Sequence, residues 1–212
     1  MLGTGVVGSA IASKLAGLGH DVTMGSRTAA NERASVWAAE AGPRAAHGTF
    51  AQAAESAELV FNCTGGEVSL DVLRAAGAAN LAGKVLVDVS NPLDFSQGRP
   101  PTLSVCNTTS VGEQIQQEFP DARVVKALNT VNHLVMVDPG RLGGRHNVFV
   151  CGDDPAAKAA VLDLLESFGW PRDAVIDLGG ITAARGPEMY LPLWLRLMGA
   201  LDGAEFNIAV VR

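Results

Sequence analysis

Three cysteines in 212 residues, Cys63, Cys106 and Cys151, are too few and too scattered for a disulfide framework, and no Cys-x-x-Cys pair occurs. No His/Cys cluster at ligand spacing accompanies them, so reduced thiols and no metal site are expected. No run of about 18 apolar residues is present, and no charged-then-apolar leader opens the chain. A soluble, cytoplasmic protein without a membrane span is expected. Lys and Arg, 16 together, are scattered and outnumbered by 22 acidic residues, for a formal charge of −6. That excludes the basic stripe of a nucleic-acid binder and the polybasic patch of a membrane anchor. Aromatics are sparse at 5%. The single tyrosine, Tyr190, is followed four residues later by Trp194, so the Tyr-x-x-x-Lys pair of short-chain dehydrogenases is missing.

Hydrophobic residues, at 48%, suffice for a sizeable core, and 24 glycines imply many tight turns. Apolar runs of strand length fall at His20–Met24, Glu58–Cys63, Lys84–Val89, Arg123–Ala127, Asn147–Cys151 and Val175–Leu178. Several are continuous rather than alternating, as in strands covered on both faces. Helical patterns lie between them at Val6–Leu18, Ala29–Ala41, Val68–Ala79, Val111–Phe119 and Pro155–Phe168. The last has Asp154 as N-cap, Pro155 in its first turn and Gly169 as its stop. The alternation predicts an α/β fold of Rossmann type, a doubly wound, mainly parallel sheet. One domain is expected over residues 1–212. Its core runs to about residue 150, with a small C-terminal helical extension over 151–212 folded against it. Gly186–Leu201 reads as a helix that Pro192 kinks or restarts, followed by a last strand at Phe206–Val211. Ser90–Ser110 reads as a long polar loop, either a lid or a subunit contact.

Gly3, Gly5 and Gly8 form G-x-G-x-x-G, and Ile11, Leu15 and Leu18 follow at helical spacing. The first glycine permits a tight turn, the second lets backbone approach a pyrophosphate, and the third permits close helix–strand packing. The helix N-terminus offers unpaired N–H groups to the phosphates. Only Met1 and Leu2 precede the loop, where the central strand belongs. Either the natural chain starts upstream or the sheet carries a stunted first strand.

The segment after the second strand sets cofactor choice. An Asp or Glu there would hold the ribose 2′-hydroxyl of NAD. Here Ser26, Arg27 and Thr28 stand instead, with Arg33 nearby. Hydroxyls and a guanidinium fork suit a 2′-phosphate, so NADP(H) is expected. Beyond later strands lie Thr64-Gly65, Asn91-Pro92 and Asn129-Thr130, small or amide-bearing residues suited to a flat nicotinamide. The pocket wall is expected from 132–139 with Met189, Leu191, Pro192 and Trp194. His133 is the one candidate proton donor. A site so poor in acids suits hydride exchange between two planar rings, which needs stacking and orientation more than proton transfer. An imine or carbonyl reductase using His133, and a non-catalytic NADP-binding or redox-sensing protein, are the alternatives.

These blocks, with Val89-Ser90-Asn91-Pro92-Leu93, Val124–Thr130, Val150–Asp154 and Pro192-Leu193-Trp194, resemble the coenzyme F-420-dependent NADP oxidoreductases over nearly the whole chain. The resemblance implies hydride exchange between NADPH and a deazaflavin or flavin-like co-substrate, and a homodimer. It places Thr4, Val6 and Val7 at the pyrophosphate, Ser26 and Arg27 at the 2′-phosphate, and Asn129 and Thr130 at the nicotinamide. Archaeal members commonly carry histidine at the position of Asn129 and a basic residue near Asn31. This chain, with Arg33 as a substitute, is closer to bacterial members.

Overall fold

The structure is a computed structural model that describes residues 1–212. Strands β1 (Val22–Ser26), β2 (Ala45–Thr49), β3 (Leu59–Asn62) and β4 (Val85–Asp88) run parallel, as does β7 (Arg123–Ala127). A hairpin, β5 (Leu93–Asp94) with β6 (Thr102–Leu103), interrupts the series between β4 and β7. The sheet continues with β8 (Val148–Cys151), antiparallel to β7, and β9 (Val175–Asp177), parallel to β8. Leu2 bridges Gly25 on one side and Asn62 on the other. It joins β2-β1 to β3-β4-β7-β8-β9, and the order reverses at this central position, the switch point of a doubly wound sheet.

Alternation along the strands divides the core. Phe61, Val87 and Val125 face one apolar layer with Ile11, Leu15, Phe168 and Trp170. Val60, Leu86 and Val124 face another with Leu2, Leu73 and Ile115. Helices α1 (Val6–Gly17), α2 (Glu32–Ala41), α3 (Phe50–Glu55), α4 (Gly66–Ala76), α5 (Ala78–Leu81) and α6 (Val111–Glu118) link the strands up to β7. Between β7 and β8 stands α7 (His133–Val137), and α8 (Pro155–Phe168) follows β8. The Asp154 carboxylate accepts from Ala157 N–H, and Gly169 ends α8 in the left-handed region at φ 106°, as expected.

Several expectations fail at the ends and in short pieces. The strand at Ala45–Thr49 was unpredicted because Ala-Ala-His-Gly-Thr has no apolar pattern; as the sheet's edge it is half exposed. No strand forms at Phe206–Val211. The Asn147 N–H does donate to the Ile208 carbonyl, but Asn207 turns its side chain inward to the Asn147 carbonyl instead of extending a ladder. The C-terminal helix restarts rather than bends: α9 (Arg185–Met189) stops at Tyr190, and α10 (Leu191–Ala200) starts with Pro192 in its first turn. There the missing N–H costs nothing.

The first strand is short. Beside Met1 and Leu2 the pairing is complete: Gly25 N–H donates to the Met1 carbonyl (2.7 Å), Leu2 N–H to Phe61 (2.8 Å) and Cys63 N–H to Leu2 (2.9 Å). Towards the amino ends of the strands the same channel is a cavity of about 640 Å³. Its walls are Asp21–Thr23 of the β1 side, Glu58, Leu59 and Phe61 of the β3 side, and Leu15, Ala53 and Leu164 from the helices.

Candidate functional site

At the switch point the glycines do three different jobs. Gly3 has φ 115°, and a side chain there would meet the Cys63 carbonyl at 2.8 Å. A Cβ on Gly8 would lie 2.2 Å from the Gly3 carbonyl, so the helix touches the strand only because that position is bare. Gly5 faces open space. It caps α1 without a side chain, and no acidic residue stands in the first turn. The first helical bond joins Ser9 N–H to Gly5, leaving the N–H groups of Val6, Val7 and Gly8 outside the ladder. Thr4 is half-buried beside them. The result is a bare, positively polarised helix end that fits a pyrophosphate.

Past β1 the chain turns at Ser26. Its side chain is buried, and its hydroxyl donates to the Thr28 carbonyl at 2.6 Å. The hydroxyl hydrogen of Ser26, expected at the 2′-phosphate, is here used within the turn. Arg27, Thr28 and Arg33 stand exposed. Six of the twelve arginines pair with carboxylates; Arg27 and Arg33 do not, nor do Arg99, Arg123, Arg196 and Arg212, but of the unpaired six only Arg27 and Arg33 flank the turn between β1 and α2. Asn31 caps α2 by accepting from Ala34 N–H, and Glu32 is the acidic residue of that first turn. Two free guanidinium groups and a helix end form a corner suited to a phosphate monoester.

The ends of β3, β4 and β7 carry a buried polar belt that the sequence reading missed. The Asn62 amide donates to Ser69 and to the Asp88 carboxylate, each at 2.9 Å. The Thr64 hydroxyl donates to the Asn62 carbonyl oxygen at 2.6 Å. Lys126 donates to Asp88 (2.8 Å) and to the Ser90 carbonyl (2.6 Å), and pairs with Glu188 of α9 (2.7 Å). Burial pulls the Lys126 ammonium down, but Asp88 and Glu188 outweigh it and hold it above the usual lysine range. The signal was available: Asp88, Lys126 and Glu188 are charges embedded in apolar stretches, which must be paired when folded.

Above this belt the two expected amides meet. Asn91 donates to the Asn129 carbonyl and Asn129 donates to the Asn91 side chain, both at 2.9 Å. Pro92 and Thr130 are buried beside them, and Gly65, exposed, caps α4. The Thr130 and Ser90 hydroxyls are buried without a partner. His133 opens α7, half-buried and without a hydrogen bond, behind the Asn132 cap. The expected wall does not assemble as one surface. Helix α7 packs chiefly on α1, α10 chiefly on α9, and Trp194 stacks on Phe206 of the tail at 5.3 Å. No group of His, Cys, Asp and Glu is placed to hold a metal ion, and no helix is long and apolar enough to cross a membrane.

Fold and site together define the class of doubly wound dinucleotide-binding proteins. Residues 1–92 match the family model described as NADP oxidoreductase, coenzyme F-420-dependent. The crystal structure of a candidate F-420-dependent NADP-reductase from Arthrobacter sp. FB24 is 55% identical, with a TM-score of 0.94, over 100% of this chain and 97% of that one. The F-420-dependent NADP reductase of Methanocaldococcus jannaschii is 33% identical over 118 residues, 55% of this chain and 52% of that protein. Metalloreductase STEAP3 of Rattus norvegicus is 30% identical over 199 residues, 92% of this chain and 37% of that protein. The chain thus spans about a third to a half of the length of these curated relatives. It belongs to the coenzyme F-420-dependent NADP oxidoreductase family. An imine reductase from Myxococcus stipitatus, at 17% identity and a TM-score of 0.63, shares the fold alone.

Proposed function

We propose that this chain binds NADP(H) along the carboxyl edge of its sheet and exchanges hydride between the nicotinamide and a deazaflavin or flavin-like ring. The carrying observation is the corner of Arg27, Thr28 and Arg33, whose two guanidinium groups are left without carboxylate partners in a chain of net charge −6. The bare α1 end would hold the pyrophosphate through Val6, Val7 and Gly8 N–H groups, with Thr4 beside it. Thr64, Gly65, Asn91, Pro92, Asn129 and Thr130 would border the nicotinamide. NADPH supplies the hydride; the chain's part is to stack, orient and exclude water, which alone accounts for a large share of such a barrier. No general acid is assigned, because a ring acceptor does not require one from His133.

The family supports the nucleotide, and the relatives from Methanocaldococcus jannaschii and Arthrobacter support the deazaflavin. A homodimer in the cytoplasm completes the proposal. Helix α10 supports it, for Leu191 is its only buried residue although Leu193, Trp194, Leu195, Leu197 and Met198 also lie on it. Arg27→Asp should weaken NADPH about 100-fold, roughly 2.7 kcal/mol, and NADH little. Calorimetry showing equal losses for both coenzymes would refute the assignment. Mixing the protein with NADPH and oxidised coenzyme F-420 should bleach both absorbances together; turnover with an imine or carbonyl alone, abolished in His133→Ala, would replace the ring acceptor.

A further inference from the structure

Three charged side chains lie sealed beneath the Asn91–Asn129 clasp. Lys126 and Asp88 expose no side-chain surface and Glu188 exposes 1%. None is placed to touch cofactor in the reading above; they act on the backbone that would. The Asp88 carboxylate accepts from Ser90 N–H (3.1 Å), and the Lys126 ammonium donates to the Ser90 carbonyl (2.6 Å). Both backbone groups of Ser90 are therefore held by opposite members of one ion pair, one residue ahead of Asn91. Glu188 uses its two oxygens on the Val111 and Gly112 N–H groups at the start of α6 (2.8 and 3.0 Å) as well as on Lys126. Asn62 ties Asp88 to Thr64 and Ser69 after β3.

A buried ion cluster is a poor way to gain stability alone, since apolar residues of the same volume often do as well. What it supplies is direction: each partner admits a narrow range of positions for the groups it holds. The direction matters here because the Ser90 and Thr130 hydroxyls, on the two loops so fixed, are buried without partners. Such hydroxyls are costly unless a bound molecule completes them, and a carboxamide offers both a donor and an acceptor.

We propose that Lys126, anchored by Asp88 and Glu188, is a positioning residue for the carboxamide-bearing ring of the cofactor, setting the Ser90–Pro92 turn and transmitting the placement of α9 to it. The proposal rests on the nucleotide reading given above. It is tested with Lys126→Met and Glu188→Gln, the second keeping side-chain size and an acceptor for α6. Calorimetry compares NADPH with 2′,5′-ADP, which carries the adenosine half only, beside a urea titration that reports folding. In Lys126→Met the 2′,5′-ADP affinity stays within about twofold of the parent, while NADPH weakens about tenfold and kcat falls about 100-fold, as for reacting groups misplaced by an ångström. The fluorescence of bound NADPH moves towards that of free NADPH. Glu188→Gln shows the same pattern in smaller measure, and decides the matter by the same ratio if Lys126→Met does not fold. Equal weakening of both ligands, or unchanged NADPH binding and kcat in a folded variant, overturns the proposal and leaves the nucleotide reading standing. A parent protein that binds neither ligand removes the nucleotide reading and this proposal with it.

Discussion

The two ends of the central channel of the sheet are built in opposite ways. At the carboxyl end, Leu2 and Gly3 are hydrogen-bonded to β3 and β1, the bare Gly3 and Gly8 let strand, loop and helix pack where a side chain would collide, and the ends of β3, β4 and β7 are tied into a polar belt. At the amino end, the same channel between β1 and β3 is a cavity of about 640 Å³ walled by Leu15, Val22, Leu59, Phe61 and Leu164. That hollow includes none of the residues expected to bind nucleotide, and its walls mix apolar side chains with His20, Asp21, Thr23, Ser56 and Glu58. The candidate site is a sheet edge that presents N–H groups and guanidinium groups instead. For an extended dinucleotide, directed donors on a rigid sheet edge are worth more than enclosed volume.

The largest expected effect breaks the carboxyl end. Gly8→Ala places a methyl group 2.2 Å from the Gly3 carbonyl, and neither helix nor strand can yield locally. A stability loss of about 3–5 kcal/mol is expected, with nucleotide binding abolished in whatever remains folded. Gly5→Ala meets nothing within 4 Å, so urea titration should show near-parental stability while calorimetry shows weakened NADPH. Equal destabilisation by the two substitutions would erase the distinction between packing and approach.

The next effect sharpens the amino end. Because Thr23 C=O and Gly25 N–H face the channel, bonding Met1, the Thr23 N–H also points into it by the pairing rule of parallel strands. Three apolar residues fused ahead of Met1, such as Val-Ile-Val, would continue the strand into the cavity. They should add about 2–4 kcal/mol, backbone bonds and side-chain burial together exceeding the ordering entropy. A Val-Pro-Asp extension, lacking a donor and carrying a charge, is the control. If both extensions leave the urea midpoint unchanged, the cavity does not accept a strand.

Legibility in the sequence follows the same division. Elements whose pattern is set by local rules were readable: Pro155–Phe168 with its Asp154 cap agrees to the residue, as does the strand Arg123–Ala127. The glycine fingerprint was readable because each glycine answers a steric demand of the turn, the open face or the packed face. Ala45–Thr49 was not, since an exposed edge strand needs no apolar alternation, and neither was α3, six residues held by a Thr49–Gln52 capping box. The belt of Asn62, Asp88, Lys126 and Glu188 was hidden for another reason. Its members come from four separate elements, and only the folded sheet brings Glu188, 62 residues beyond Lys126 in the chain, to 2.7 Å from it. Sequence could flag each charge in its apolar setting, but not the partner.

The smallest expected effect tests how dry the ends of these strands are. Cys151, at the end of β8, is fully buried, and burial pushes its thiol up to about 12, with Lys126 pulling it back and Glu188 adding to the rise. The unfolded thiol loses its proton near pH 9, whereas the folded one keeps it to about 12. Between those values the folded state holds the extra proton, so stability is intact below about pH 9 and falls as pH rises, by about 1.4 kcal/mol per unit for one thiol. Urea titrations between pH 8.5 and 10.5 should therefore show a declining limb that is shallower by about that slope in Cys151→Ala. Cys106→Ala, on the exposed loop after β6, is the control for removing a thiol as such. Identical limbs for parent and Cys151→Ala would mean that water reaches β8, and the sealed edge would have to be redrawn as an open one.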